Sequence, residues 1–410
     1  MTDDARSPQS RSPAVARSRD LRVAIVHDWL VTLGGADRVL LELHNLFPHA
    51  PVFTALHRPG ALPAPFRGLD VRPSWLQRVP GAVGRHRLAV PLLPLAFRSV
   101  DLRGYHLVVS SSHACAHGVR VPPGAVHICY CHTPMRYAWD LQDEYVHALP
   151  RAVRPAARGI LAALRAWDRA AAQRVDVFVA NSRHVAGRIR RHYGRDAVVI
   201  YPPVDTDFFT PAAETPTRTH GAAQEGFPPP PGPPSTRSPV PGTYYLVVSR
   251  LVPYKRVDLA VEAFTRLRRP LVVVGDGPER RRLEAMAGPG VRFVGEVADE
   301  VLREYYRHCR ALVFPGVEDF GLVPVEAQAC GRPVIALRQG GALESVVDGV
   351  TGLLFSEPDP EALASAVRAA DGMEFDPRAI RAHAERFSRP RFRAAIVDLV
   401  ETILRDRLPL

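Results

Sequence analysis

The segment VFPGVEDFGLVPVEAQACGRPVIA, residues 313–336, carries the strongest fold signal in this chain of 410 residues. An apolar run opens it and another closes it. Between them lie a turn-rich loop and a helical stretch with Pro324 in its first turn. That is one strand–loop–helix–strand unit of a parallel sheet. Glu318 lies in the loop, and Glu326 follows after seven intervening residues, a turn or more into the helix. Phe320, Gly321 and Leu322 stand between them, where a helix presents unpaired N–H groups and the positive end of its dipole. One carboxylate can hold sugar hydroxyls and the other ribose hydroxyls while those amides face phosphate. A plain ion-pair role for either glutamate is the alternative, and the spacing disfavours it.

Upstream, VVVGDGPER (272–280) repeats the pattern of strand, turn and helix start. Gly275 and Gly277 let a backbone approach a ligand there, although any tight strand-to-helix turn wants glycine. VSRLVPYKRVDLAVEAF (248–264) follows the first strand of the same half and places Arg250 and Lys255 just beyond it. A guanidinium fork and an ammonium point charge at such a mouth suit a diphosphate; the bland reading is a solvated loop. Lys255 tips the balance because it is the one lysine among 53 basic residues. Asparagine is nearly absent too, at Asn45 and Asn181 alone. This is a bias of the whole chain towards Arg, Ala, Gly and Pro, so most arginines carry no message and a surviving lysine does.

Further out, strands are expected near 243–249, 271–275, 291–294, 311–315 and 333–337 in this half. In the other half they are expected near 21–27, 105–112, 126–131, 175–181 and 197–201. A helix is expected over 151–174, where Val153, Ala157, Ile160, Leu164, Trp167 and Ala171 recur every three or four positions. Residues 1–20 read as a disordered tail. Residues 205–242, with four prolines at 228–231, read as a linker or insertion. The chain is therefore α/β, with Rossmann-like parallel-sheet domains over 21–204 and 243–388 that face a central cleft. Ligands are expected at the carboxyl ends of the strands. A last helix over 389–410 has no strand after it and is expected to cross back to the first domain.

The first half offers HDWLVTLGGADRVL (27–40), where Gly34 and Gly35 precede a helix as a second amide cradle. It also offers ICYCHTPMRYAWD (128–140), where His132 ends a strand. A lone histidine there is usually structural, and His113 and His117 compete with it. The strand-end rule favours His132. Asp205-Thr-Asp207 resembles a metal-binding pair but has no supporting cluster, so it reads as a turn, and no metal is expected.

The apolar content, 46%, is that of a soluble globular protein. A net charge of +11 favours anionic partners. No zinc spacing or aromatic RNA-binding motif supports nucleic acid, and arginine bias explains the charge more simply. Five cysteines without CxxC spacing fit a reducing cytoplasm. No signal peptide or membrane-spanning stretch is read. RHRLAVPLLPLAFR (85–98) and the arginine-bearing helix 151–174 point to peripheral attachment at an anionic membrane surface; ordinary packing is the alternative.

Taken together, these motifs resemble retaining GT-B glycosyltransferases of family 4, over about 21–204 and 243–405. The strings LLPLAFRSVDLRGYHLVVSSSHACAHGV (92–119) and YCHTPMRYAWD (130–140) resemble a narrower subgroup, one associated with mannosyl transfer in O-antigen and exopolysaccharide assembly. The resemblance implies a nucleotide-sugar donor, GDP-mannose first and UDP- or dTDP-sugars as alternatives, with a glycan or lipid-linked acceptor. It implies no cofactor and no metal. It implies that Arg250 and Lys255 hold the diphosphate. Glu318 would hold the sugar, with the amides of Phe320 to Leu322, and Glu326 the ribose. Gly35 would approach the phosphate, and His132 would sit by the transferred sugar. A sugar phosphorylase would need a second lysine for pyridoxal phosphate. A nucleotide-sugar epimerase is disfavoured by the Glu318/Glu326 pair.

Overall fold

The computed structural model describes residues 21–212 and 243–407. The expected tail and most of the proline-rich insertion lie outside the described residues. The chain divides into two compact units. One runs to Asn181 and adds Val185–Ile200 and the stretch from Phe392 onward. The other comprises Ser182–His184 and Tyr201–Arg391.

The first unit holds a seven-stranded sheet of β1 (Val23–His27), β2 (Val52–Thr54), β3 (Val71–Pro73), β4 (Leu107–Ser112), β5 (Val126–Cys131), β6 (Val177–Ala180) and β7 (Ala197–Val199). The order is β3-β2-β1-β4-β5-β6-β7, and every pairing is parallel. The second unit holds β8 (Tyr245–Val248), β9 (Leu271–Val274), β10 (Val291–Gly295), β11 (Leu312–Phe314), β12 (Val334–Leu337) and β13 (Gly352–Phe355). Its order is β10-β9-β8-β11-β12-β13, again parallel throughout. Strands such as LVVV of β9 are buried along their whole length, because helices cover both faces of each sheet.

Each expected strand is present; most have their ends trimmed, but β5 keeps the expected bounds and β10 runs one residue further, to Gly295. Three short strands, β2, β3 and β13, were not foreseen. β2 and β3 have three residues each and β13 has four, too few for a period-two pattern to emerge. β3 and β13 are also edge strands.

Each strand order reverses once, between β1 and β4 and between β8 and β11. At such a switch point the loops leave to opposite sides and open a crevice beyond the carboxyl ends. The candidates Arg250 and Glu318 lie there in the second sheet, and His27 and Ser111 occupy the matching position in the first.

The final helix, Arg389–Arg407, buries Phe392, Ile396, Val400 and Ile403 in the first unit's core beside Ile25, Leu40, Leu43 and Tyr130. The described start of the expected linker is packed rather than loose. Phe209 is fully buried in the second unit's core, and Arg381 donates to the carbonyls of Thr206 and Phe209. Asp205 makes the expected turn: its side chain accepts the Phe208 N–H at 3.1 Å and pairs with Arg389 at 2.8 Å.

Candidate functional site

In the second unit, β8 ends at Val248 and the chain loops through Arg250 into a tight turn, Pro253–Lys255. Arg256 follows at φ +51, a left-handed conformation rarely held by a residue with a side chain, and leads into the helix Val257–Leu267. The turn aims Lys255 at the loop after β11, where its ammonium pairs with the Glu318 carboxylate. Both side chains are mostly buried. Arg250 is exposed and donates to the Tyr254 hydroxyl at 3.0 Å. The Lys255 ammonium also lies 5.4 Å from the Tyr254 ring centre, within cation–π reach. The proposed diphosphate cations and the proposed sugar carboxylate are therefore neighbours.

Glycines make this closeness possible. A Cβ on Gly316 would sit 2.6 Å from the Lys255 carbonyl oxygen, and one on Gly341 would sit 2.2 Å from the Phe320 Cα. Gly341 N–H donates to the Glu318 carbonyl at 2.8 Å and fixes that loop. Gly275 and Gly277 have positive φ, but their tight approach is to the chain itself. Cβ atoms there would meet the carbonyl oxygens of Ser249 at 2.0 Å and Leu251 at 2.4 Å. These glycines shape the Arg250 loop, a refinement of the expected approach to a ligand.

Gly321, at φ +83, caps the helix Leu322–Ala329. The Phe320 ring is buried against Tyr201 and Phe387, so only its backbone can serve a ligand. Glu326 is buried and accepts the Tyr306 hydroxyl at 2.8 Å. That bond orients the carboxylate.

In the first unit, Gly34 precedes the helix Gly35–Leu46 and donates its N–H to Asp37 Oδ2 at 2.6 Å. The Gly34–Gly35 turn is thus tied back to its own helix. Asp37 Oδ1 lies 3.1 Å from His27 Nε2. His27 Nδ1 lies 3.0 Å from Ser111 Oγ, and Ser111 Oγ lies 2.8 Å from His132 Nε2. His132 follows β5 and is buried, and its carbonyl accepts from Asn181 at 3.0 Å. Burial first, then the nearby His113 and His27, hold its pKa well below the ordinary histidine value.

His113 and His117 are engaged elsewhere. His113 pairs with Asp28 at 3.2 Å, and Asp28 also accepts the N–H groups of His113, Ala114, Cys115 and Ala116 at 2.6–2.9 Å. His117 pairs with buried Asp168 at 3.0 Å. Asp168 also accepts Trp139 Nε1–H and the Tyr193 hydroxyl, each at 2.8 Å. Arg188 bridges Thr133, Pro134 and Asp140. The loop after His132 is therefore fastened along its length.

Sequence reading missed His27, Asp28, Asp37 and Ser111. A signal was present in the buried strand LVVSSS, because hydroxyls in a covered strand need partners. The partners themselves come from distant segments.

Two family models match the sequence. One, described as Glycosyltransferase Family 4, covers residues 33–208; the other, Glycosyl transferases group 1, covers residues 242–370. A D-inositol 3-phosphate glycosyltransferase of Geodermatophilus obscurus is 36% identical over 47% of this chain and 45% of its own length. A GDP-mannose-dependent alpha-(1-6)-phosphatidylinositol monomannoside mannosyltransferase of Mycolicibacterium smegmatis is 32% identical over 47% of this chain and 52% of its own length. The chain spans about half the length of the curated relatives it matches. Among solved structures, Anabaena HepE in complex with UDP superposes with a TM-score of 0.66 at 17% identity, over 93% of this chain and 100% of that one. Sucrose-phosphate synthase from Thermosynechococcus elongatus gives 0.64 at 22% identity, over 94% and 98%. The fold is GT-B.

Proposed function

The chain belongs to glycosyltransferase family 4, and from that premise we propose that it transfers a hexose from a nucleotide-sugar to a glycan or lipid-linked acceptor, with retention and without a metal. The observation that carries this reading is the Lys255–Glu318 pair beyond the carboxyl ends of β8 and β11, with Arg250 alongside. Lys255, Arg250 and the amides at Gly321 and Leu322 meet the negative charge that grows on the departing diphosphate. Glu318 holds the sugar's hydroxyls and Glu326 the ribose. His132 contacts the sugar. The leaving phosphate oxygen takes the acceptor's proton on the same face, so no carboxylate nucleophile is required.

Mannose from GDP-mannose is the preferred donor, supported by the mannosyltransferase relative. A UDP-sugar is the second reading, favoured by the UDP-bound HepE structure. The acceptor lies at an anionic membrane surface. Among the described residues no helix is long and apolar enough to cross a membrane, but Leu88, Leu95 and Ile160 are exposed at 75%, 56% and 47%. Such residues beside arginines suit interfacial attachment.

Thermal-shift screening against GDP-, UDP- and dTDP-sugars, followed by transfer assays in excess EDTA, tests the proposal. GDP-mannose should give the largest shift and transfer should persist. Loss of transfer restored only by Mn²⁺ would overturn the metal-independent reading. Turnover of donor without acceptor would favour epimerisation.

A further inference from the structure

The buried side chains Asp37, His27, Ser111 and His132 form one unbranched hydrogen-bonded row. Three of its members come from three different strands or their ends, and Asp37 from the helix beside them. In outline Asp37, His27 and Ser111 match the carboxylate–imidazole–hydroxyl order of a nucleophilic triad. Ser111 lies fully buried in β4, however, and its oxygen meets His132. It cannot reach a substrate, so the row acts on His132.

The direction of the protons is set by the acceptor at its start together with a neutral His27. A carboxylate at a helix N-terminus accepts hydrogen bonds and donates none. Asp37 Oδ2 is taken by Gly34 N–H, so Oδ1 accepts the proton on His27 Nε2. With His27 neutral, its Nδ1 offers a lone pair and the Ser111 hydroxyl donates to it. The Ser111 oxygen is left to accept from His132 Nε2–H. The nearby titratable groups, Asp28 and His113, pair with each other. His132 Nδ1 holds no hydrogen bond among the described residues.

We propose that Asp37, His27 and Ser111 are positioning residues that hold His132 with its ring proton on Nε2, so that Nδ1 stands as the acceptor for a substrate hydroxyl. The assignment of that hydroxyl to the transferred sugar rests on the proposed function; the tautomer does not.

Asp37→Asn is the deciding variant. Gly34 N–H keeps the amide oxygen, so the amide NH₂ faces His27 Nε2 and donates. Every bond in the row then reverses, and the His132 proton moves to Nδ1. Long-range ¹H–¹⁵N spectra of the full chain labelled in its histidines read this directly, with His132→Gln identifying the signals. The wild type should show the Nε2–H form and Asp37→Asn the Nδ1–H form. Ser111→Ala should show a mixture and Ser111→Thr the wild-type form. Transfer by Asp37→Asn should fall roughly 10²-fold in kcat with little change in donor KM. A wild-type His132 protonated on Nδ1, or an unmoved proton in both Asp37→Asn and Ser111→Ala, overturns the proposal. An Nε2–H wild type that flips as stated, in a protein that transfers no sugar, upholds the row and sinks the glycosyl-transfer reading.

Discussion

Single residues decide how the second unit treats charge. Lys255 stood out in the sequence because it alone escaped the bias to arginine, and Glu318 because of its spacing from Glu326. Their pairing was not legible, since 62 residues lie between them and only the meeting of β8 and β11 closes the gap. Lys255→Ala should remove about 2.7–4 kcal/mol of transition-state stabilisation, the range for losing one oxyanion donor. Steady-state transfer kinetics measure this, and near-wild-type turnover counts against the role. Gly275 tests the scaffold instead. A Cβ there, at φ +121, would stand 2.0 Å from the Ser249 carbonyl oxygen. Gly275→Ala should destabilise the second unit by about 3 kcal/mol or more in urea unfolding. An unchanged midpoint would mean that the Arg250 loop does not depend on that contact.

At the scale of elements, the first unit shows where periodicity misleads. The helix Arg154–Ala172 lies within the expected span 151–174, but its apolar stripe is only half buried. Leu164 and Ala171 face the core, Val153 and Ile160 are exposed, and Asp168 is fully buried. A carboxylate inside needs partners, and His117, Trp139 and Tyr193 supply them from elsewhere in the chain. Burial alone would depress His117, but the hydrogen bond and charge of Asp168 outweigh it and push the pKa up to about 9. His127 in β5 goes the other way: burial, then the charge of His117, pushes it down to about 3. A raised histidine stabilises fully below its unfolded value, near 6.5, and loses that contribution as pH rises through about 9. A depressed histidine stabilises fully above 6.5 and loses its contribution as pH falls towards about 3. The first unit should therefore be most stable near pH 6.5. At about 1.4 kcal/mol per pKa unit, the alkaline arm is on the order of 3 kcal/mol. Denaturant titrations across pH should lose that arm in Asp168→Asn and the acid arm in His127→Gln. A profile that neither substitution alters would refute the assignment.

For the whole molecule, the last helix belongs to a core assembled by the other end of the chain. Four side chains, Phe392, Ile396, Val400 and Ile403, are buried in the first unit. At about 1.5–3 kcal/mol each, they contribute roughly 6–12 kcal/mol, comparable to the entire stability of an ordinary domain. Ending the chain after Ser388 should leave the first unit unfolded in hydrogen exchange, and native protection there would contradict it. The exposed Leu88, Leu95 and Ile160 should carry the chain to the top of a flotation gradient with anionic vesicles, reversibly with salt. No salt-sensitive binding would remove the membrane from the proposal. The class of fold, the two parallel sheets, the return of the last helix and the motifs beyond the strand ends are legible in the residues alone. These follow from local patterns, which period, punctuation and spacing record within a few tens of residues. Folding is what brings Lys255 to Glu318, sets Gly275 and Gly277 against the Arg250 loop, and places His132 at the end of a row begun by Asp37. Those are contacts between segments far apart in the chain, set by which strands lie side by side, and no local pattern of residues encodes them.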